Sequence, residues 1–281
     1  MSEYKNQHFV PQTYLRFFAN ELYIPPNYSK ESLWCINKNT KEIKLKGIKN
    51  ICSHNYFYSY KERDSLYNHD IEKKLSEFED DFKTFTDKLC SIRNSVLAGT
   101  PFNKIHCGEK EFILKYLLLQ YFRVPKFTND YFSKTINGFR KINRNKQIEQ
   151  SEQEIINDLK RYGFRLMFDL SSDHFLRIMN ILYNKKMIIS IIPDTNSSEL
   201  ITSDAPVHIS NKFGKTALIS LNTEITLPIT PKIALTLFGP KGHDEYKIFD
   251  DSSQIDKFNK SLMKSCFENC YSGNKPLLEI L

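Results

Sequence analysis

Much of what would mark a specialised class is missing from this sequence. Nine glycines, eleven prolines and a single tryptophan in 281 residues exclude a collagen-like, linker-like or loop-dominated chain. No apolar run approaches the ~20 residues that a bilayer crossing needs. The richest stretch, Ile181 to Ile192, is interrupted by Asn184, Lys185 and Lys186. The opening MSEYKNQHFVPQ has no apolar secretory core, so the expected location is the cytoplasm, with no membrane partner. Cysteines are few and scattered, at Cys35, Cys52, Cys90, Cys107, Cys266 and Cys270, without a C-x-x-C pair. That spacing predicts reduced thiols and gives no four-ligand zinc pattern. A P-loop, a Rossmann glycine fingerprint, a G-x-S-x-G elbow and an H-E-x-x-H motif are absent as well, which argues against kinases, common dehydrogenases, serine hydrolases and zincins.

What is present is globular material with a positive bias. The chain is 40% hydrophobic and 26% charged, carries 21 phenylalanines and 15 tyrosines, and has a formal net charge of +7. Such numbers predict a large, aromatic core and favour phosphate-bearing partners without requiring them.

Periodicity sets out the elements. Pro11 suits a helix start, with Tyr14, Leu15, Phe17 and Phe18 as the apolar face of a short helix. LWCIN, KNTK and EIKLKGI read as a hairpin, and NYFYSY as a third extended segment. From Asp70 to Asn94 apolar residues recur at alternating spacings of four and three, the pattern of one helix face. Glu109 to Phe122 is apolar nearly all round, which predicts a central buried helix ended by Val124-Pro125. Helices are further expected near Asp130 to Asn143, Ser151 to Phe168 and, capped by Ser172 or Asp173, up to Tyr183. Strands follow at Lys186 to Pro193, Glu199 to Thr202, Ala217 to Leu221 and Ile233 to Phe238, then a helix over Asp251 to Tyr271. The order lacks βαβ alternation, so the expected class is α+β. The expected architecture is a single domain over residues 1–281, a central helical bundle with an N-terminal β-hairpin region and a C-terminal antiparallel β segment packed on it.

Five segments stand out. HFVPQTYLRFF (His8 to Phe18), IEKKLSEFE (Ile71 to Glu79), QYFRVP (Gln120 to Pro125), ITSDAPV (Ile201 to Val207) and LPITPKIAL (Leu227 to Leu235) follow in order. Together they resemble the signature of a bacterial family of unknown function, the domain of unknown function 4238. Ala205 stands where that signature has Asn more often, and Val124 where Thr is usual; Ala205 removes a side-chain hydrogen bond. The resemblance implies a shared fold and a shared site, and no reaction.

These segments contain polar residues that a core does not need. His8, Gln12, Arg16, Arg123 and Asp204 are the catalytic candidates, with Glu72, Glu79, Gln120 and Ser203 in support. Gln120 and Arg123 lie three apart on the most buried helix and so face one side. A buried arginine needs a carboxylate, because an unpaired buried charge is very costly; Glu72, Glu79 and Asp204 are the candidates. In a catalytic reading His8 is the general acid or base, since its ordinary pKa lies near working pH. Arg16 and Arg123 neutralise a scissile phosphate, and Asp204 or a glutamate orients His8 or holds a divalent metal. In a structural reading the arginine pins helix to helix, and Asp204 builds an Asx turn before Pro206.

A separate basic stretch carries Lys134, Arg140, Lys141, Arg144 and Lys146, with no acid between Tyr131 and Ile148. Tyr131, Phe132 and Phe139 are interleaved and could stack on bases; the alternative is a solvated helix face with its aromatics turned inward. Lys38, Lys41, Lys44, Lys46 and Lys49 line the hairpin. The sequence therefore raises the expectation of a nuclease, on RNA rather than DNA; the family resemblance, and not these residues, adds the expectation of a toxin or anti-phage effector. The alternative is a non-catalytic binding or sensor module that recognises a phage or regulatory protein or a nucleotide. Metal-independent cleavage and metal-assisted hydrolysis both stay open.

Overall fold

A computed structural model describes residues 5–19, 31–62, 66–100, 105–142, 152–211, 218–220, 222–240 and 242–281. It opens with β1 (Asn6–His8) and α1 (Gln12–Arg16). Pro11 is the N-cap, and its carbonyl takes the first helical N–H, from Leu15, at 3.0 Å. β2 (Ser32–Asn37) and β3 (Ile43–Gly47) form the expected antiparallel hairpin. Asn37 Oδ1 closes its turn by accepting the N–H groups of Asn39 and Thr40. NYFYSY is not one strand. β4 (Ser53–Asn55) ends where Tyr56 turns to φ 53°, and the chain resumes in β5 (Tyr60–Lys61), which pairs with β6 (Tyr67–Asn68).

The helical layer follows the predicted order. α2 (Asp70–Leu97) runs one turn past the expected end and stops at Gly99, whose φ of 87° is the left-handed geometry of a helix terminus. Ile71, Leu75, Phe82 and Leu89 of its seam are buried, each stabilising by about 1.5–3 kcal/mol relative to exposure. α3 (Cys107–Phe122) is central, with Ile113, Leu114, Leu117 and Leu118 sealed from solvent. Pro125 does more than end it: α4 (Pro125–Ile142) begins there, because a proline lacking N–H fits a helix's first position. α5 (Glu152–Asp158) passes through a π-helical turn, Leu159–Gly163, into α6 (Phe164–Phe168). α7 (Asp173–Tyr183) is capped by Ser172, whose Oγ accepts the Phe175 N–H at 3.2 Å.

The remaining strands are β7 (Lys186–Ile191), β8 (Thr202–Ser203), β9 (His208–Asn211), β10 (Thr223–Thr230), β11 (Ile233–Phe238) and β12 (Glu245–Ile248). α8 (Ser252–Ser265), β13 (Asn269–Ser272) and α9 (Lys275–Glu279) complete the chain. One sheet has the order β12-β7-β11-β10-β9, and another β3-β2-β13-β8. The protein is thus α+β, as expected, with three corrections. Residues 218–220 form a turn and the strand lies at Thr223–Thr230 instead. The final helix stops at Ser265, and Asn269–Ser272 is a strand sewn beside β2 of the N-terminal hairpin. β12 joins β7 in parallel, so the C-terminal sheet is not wholly antiparallel. No helix among the described residues is long and apolar enough to cross a membrane.

Candidate functional site

All five signature segments contribute to the packing around the N-terminal strand and helix or to the SDAP turn beside them. β1 pairs with β4, and the Phe9 N–H donates to the Cys52 carbonyl at 2.8 Å. Gln7, fully buried, substitutes for a strand edge. Its Oε1 accepts the N–H of Tyr58 (2.7 Å) and Ser59 (3.3 Å), while its Nε2 donates to Ser59 Oγ at 2.6 Å. From α3, Gln120 Nε2 donates to the Phe9 carbonyl at 3.1 Å and Arg123 Nη2 to the His8 carbonyl at 2.6 Å. The three-residue spacing of Gln120 and Arg123 thus matches two adjacent main-chain acceptors.

Arg123 is 2% exposed and fully engaged. Nη1 pairs with Glu79 at 2.8 Å, Nε donates to Tyr58 Oη at 3.2 Å, and that hydroxyl donates to the Arg123 carbonyl at 3.0 Å. Burial works against its charge, but Tyr58, Glu79 and Glu72 outweigh it and hold the guanidinium above its usual range. Glu72 faces the same cation. Burial pushes its carboxyl up to about 7 despite the pull of Arg123, and Glu79 adds to the rise. Its Oε2 is buried without a partner.

His8, Gln12 and Arg16 form a row from the interior to the surface. Gln12 Nε2 donates to His8 Nδ1 at 3.4 Å, and Gln12 Oε1 accepts from Arg16 Nη2 at 3.3 Å. Arg16, partly exposed, meets Glu31 at 3.1 Å. With Nδ1 accepting, the His8 ring proton sits on Nε2, which is buried and makes no well-formed hydrogen bond, although the Ile48 and Lys49 backbone lies close by. Burial first, then the Arg123 charge, bring the His8 pKa down to about 4, with the Lys49 and Ile48 backbone pulling the other way. The imidazole is neutral at physiological pH.

Asp204 stands apart from this row. Its carboxylate accepts the N–H groups of Phe267 (2.8 Å), Glu268 (2.7 Å) and Asn269 (2.7 Å), clamping the entry to β13. Burial pushes its pKa up to about 6 while these three donors draw it down, so the carboxylate is ionised at neutral pH. The turn closure expected of Asp204 is made by Ser203, whose Oγ accepts the Ala205 N–H at 3.1 Å. Next to it, Tyr14 Oη donates to the Pro228 carbonyl at 2.6 Å and lies 2.7 Å from Thr202 Oγ1. One tyrosine from the first segment thereby ties the fourth and fifth together.

Other candidates are placed as follows. His208, one strand step beyond the SDAP turn, is buried and is held between Ser265 Oγ (2.8 Å) and Ser261 Oγ (3.1 Å) of α8. His54 is exposed, its ring against Phe9 and Phe57. On α4, Lys134 is exposed and pairs with Asp130 at 2.6 Å; Arg140 and Lys141 are exposed. Arg144 and Lys146 lie outside the described residues. Phe132 packs on Phe164 (5.4 Å between centroids), and Tyr131 stands 6.3 Å from Phe127 within the core. Those two aromatics therefore turn inward and do not interleave with the charges at the surface. All six cysteines are free, and among the described residues no three His, Cys, Asp or Glu side chains gather as a metal site requires. Sequence reasoning missed Tyr58, the main partner of Arg123 besides Glu79, because nothing in NYFYSY distinguishes that ring from its neighbours.

The cavities lined by described residues include the following three. One of about 850 Å³ lies between α2 and the 168–171 turn, floored by Leu75, Phe78 and Leu119. A second of about 290 Å³ lies between the five-stranded sheet and α8. A third of about 630 Å³ lies where β5 and β6 meet α5. His8, Arg123 and Asp204 line none of these three.

The chain matches the family described as protein of unknown function (DUF4238) over residues 6–276, and it belongs to that family. No curated protein and no solved structure matches it.

Proposed function

We propose that this protein is a non-catalytic binding module for a nucleotide-bearing ligand, RNA ahead of DNA. The observation behind this reading is that the groups a nuclease would use are already engaged internally. Both Asp204 oxygens accept main-chain N–H groups. Arg123 holds the His8 carbonyl and Glu79. His8 has a pKa of about 4, well below that of an effective base at neutral pH. A net charge of +7 and the exposed Lys134, Arg140 and Lys141 suit a polyanion.

The endonuclease reading, as a toxin or anti-phage effector, keeps one observation in its favour. The His8 Nε2, which makes no well-formed hydrogen bond, lies at the inner end of a row whose outer end, Arg16, is exposed. Inducible expression of wild type, His8→Ala and Asp204→Ala in bacteria separates the two. The binding reading predicts normal growth, intact RNA and DNA on gels, and lowered melting temperatures for both variants. Growth arrest with fragmented RNA, abolished in a fully folded His8→Ala variant, would establish the nuclease.

A further inference from the structure

The third cavity combines features that the signature residues do not explain. At about 630 Å³ it is within the range that holds a nucleotide-sized ligand. On its wall Tyr56 and Tyr67 are stacked, with centroids 3.9 Å apart and planes at 2°. Tyr67 is 37% exposed, a large ring left at the surface and already held in place by its neighbour. The ammonium of Lys61 is 5.6 Å from the Tyr67 centroid, close enough to meet a phosphate attached to a base on that ring.

Two backbone irregularities fix this wall. Tyr56 is a non-glycine residue at φ 53°, and Lys160 belongs to the π-helical turn. Conformations of both kinds cost energy and persist where the surroundings enforce them. One bond joins them: Lys160 Nζ donates to the Tyr56 carbonyl at 2.9 Å, leaving two N–H groups of the ammonium for a ligand. The Asn157 carboxamide fastens the floor by bonding both the N–H (2.8 Å) and the carbonyl (3.1 Å) of Lys61. Of the carboxylates on the rim, Glu62 is bridged by Arg161 at 3.2 Å.

The basic helix packs beside the helical wall of this cavity. Tyr131 of α4 stands against Gly163, where an added Cβ would meet its ring at 3.3 Å. α4 also packs on α5, which supplies Gln153, Glu154 and Asn157 to the cavity wall.

We propose that this cavity binds single-stranded nucleic acid, one base stacking on Tyr67 and the phosphates passing Lys61 and Lys160. The inference rests on the binding reading above and gives it a place. It is tested by fluorescence anisotropy of the full chain with labelled oligouridylate and oligothymidylate of about ten nucleotides and with a duplex of the same length. Both single strands are expected to bind, more weakly at about 200 mM than at about 50 mM salt, and the duplex about tenfold more weakly than either. Tyr67→Ala should weaken binding about tenfold, through loss of one stacked base, while Tyr67→Trp retains it. Failure of the wild type to bind any strand would overturn the binding reading itself. Wild-type binding that Tyr67→Ala leaves unchanged, or equal binding of the duplex, would overturn only the site.

Discussion

Glu72 and His8 flank the same guanidinium, and their burial has opposite consequences for pH. The His8 pKa falls from 6.5 to about 4, so its contribution to stability is complete above pH 6.5 and is lost as pH falls through 4. The Glu72 pKa rises from 4.5 to about 7. Its contribution is complete below pH 4.5 and is lost as pH rises through 7. Glu72→Gln, a neutral isostere, is therefore expected to be more stable than wild type at pH 8, by about 1–3 kcal/mol, with the advantage fading towards pH 5. Urea unfolding at the two pH values checks this. A Gln variant less stable at pH 8 would mean that the ionised carboxylate is needed by Arg123. Glu79→Ala should be worse at every pH, by about 3 kcal/mol, since it strips a sealed arginine of its direct ion partner.

Among the elements, the most consequential joint is α1 against the C-terminal strands. Tyr14 is fully buried, and its hydroxyl serves Thr202 and Pro228 at once. Tyr14→Phe keeps the packing but removes the hydroxyl's buried hydrogen bonds to the Pro228 carbonyl and Thr202, so a loss of about 1–3 kcal/mol in thermal or chemical unfolding is expected. An unchanged midpoint would show the joint to be purely apolar. Which elements exist was largely legible beforehand. The α2 seam, the all-round apolar α3 and the Ser172 cap are local signals, and each appeared where the spacing put it. The failures were non-local. β13 reads as the tail of a helix because Cys266 and Cys270 keep helical spacing, and what stops α8 is Asp204, sixty-odd positions earlier, holding the N–H groups of residues 267–269. Thr223–Thr230 contains Pro228, which argues against a strand interior but is accommodated at a register shift between Pro228 and Thr230.

For the molecule as a whole, the signature describes an assembly: three of its segments meet on the N-terminal stretch, and the other two close on Tyr14. The sequence identified these residues as a polar set beside apolar segments but could not say whether their partners were ligand or backbone. Spacing reveals which side chains share a face; it does not reveal that Gln120 and Arg123 face the carbonyls of Phe9 and His8. The cavity beside Tyr67 had no signature because its parts come from β4, β5, β6, α5, the π-helical turn and the loops flanking β5, each contributing one to three ordinary residues. On the proposed reading, recognition and scaffold are separate in this molecule, and substitutions in one should leave the other intact. Tyr67→Ala, which removes one ring of the stacked pair, is expected to cost only about 0.5–1.5 kcal/mol and to leave the cooperative unfolding of the rest intact, as scanning calorimetry can check.

That separation is tested most directly by chemical denaturation of Asp204→Ala beside wild type. Removing the carboxylate leaves three main-chain N–H groups at the start of β13 without acceptors. The account predicts a loss of at least about 3 kcal/mol, or a chain that no longer unfolds cooperatively. An Asp204→Ala protein that unfolds at the wild-type midpoint, yet has lost an activity the wild type possesses, would contradict it and make Asp204 a catalytic residue.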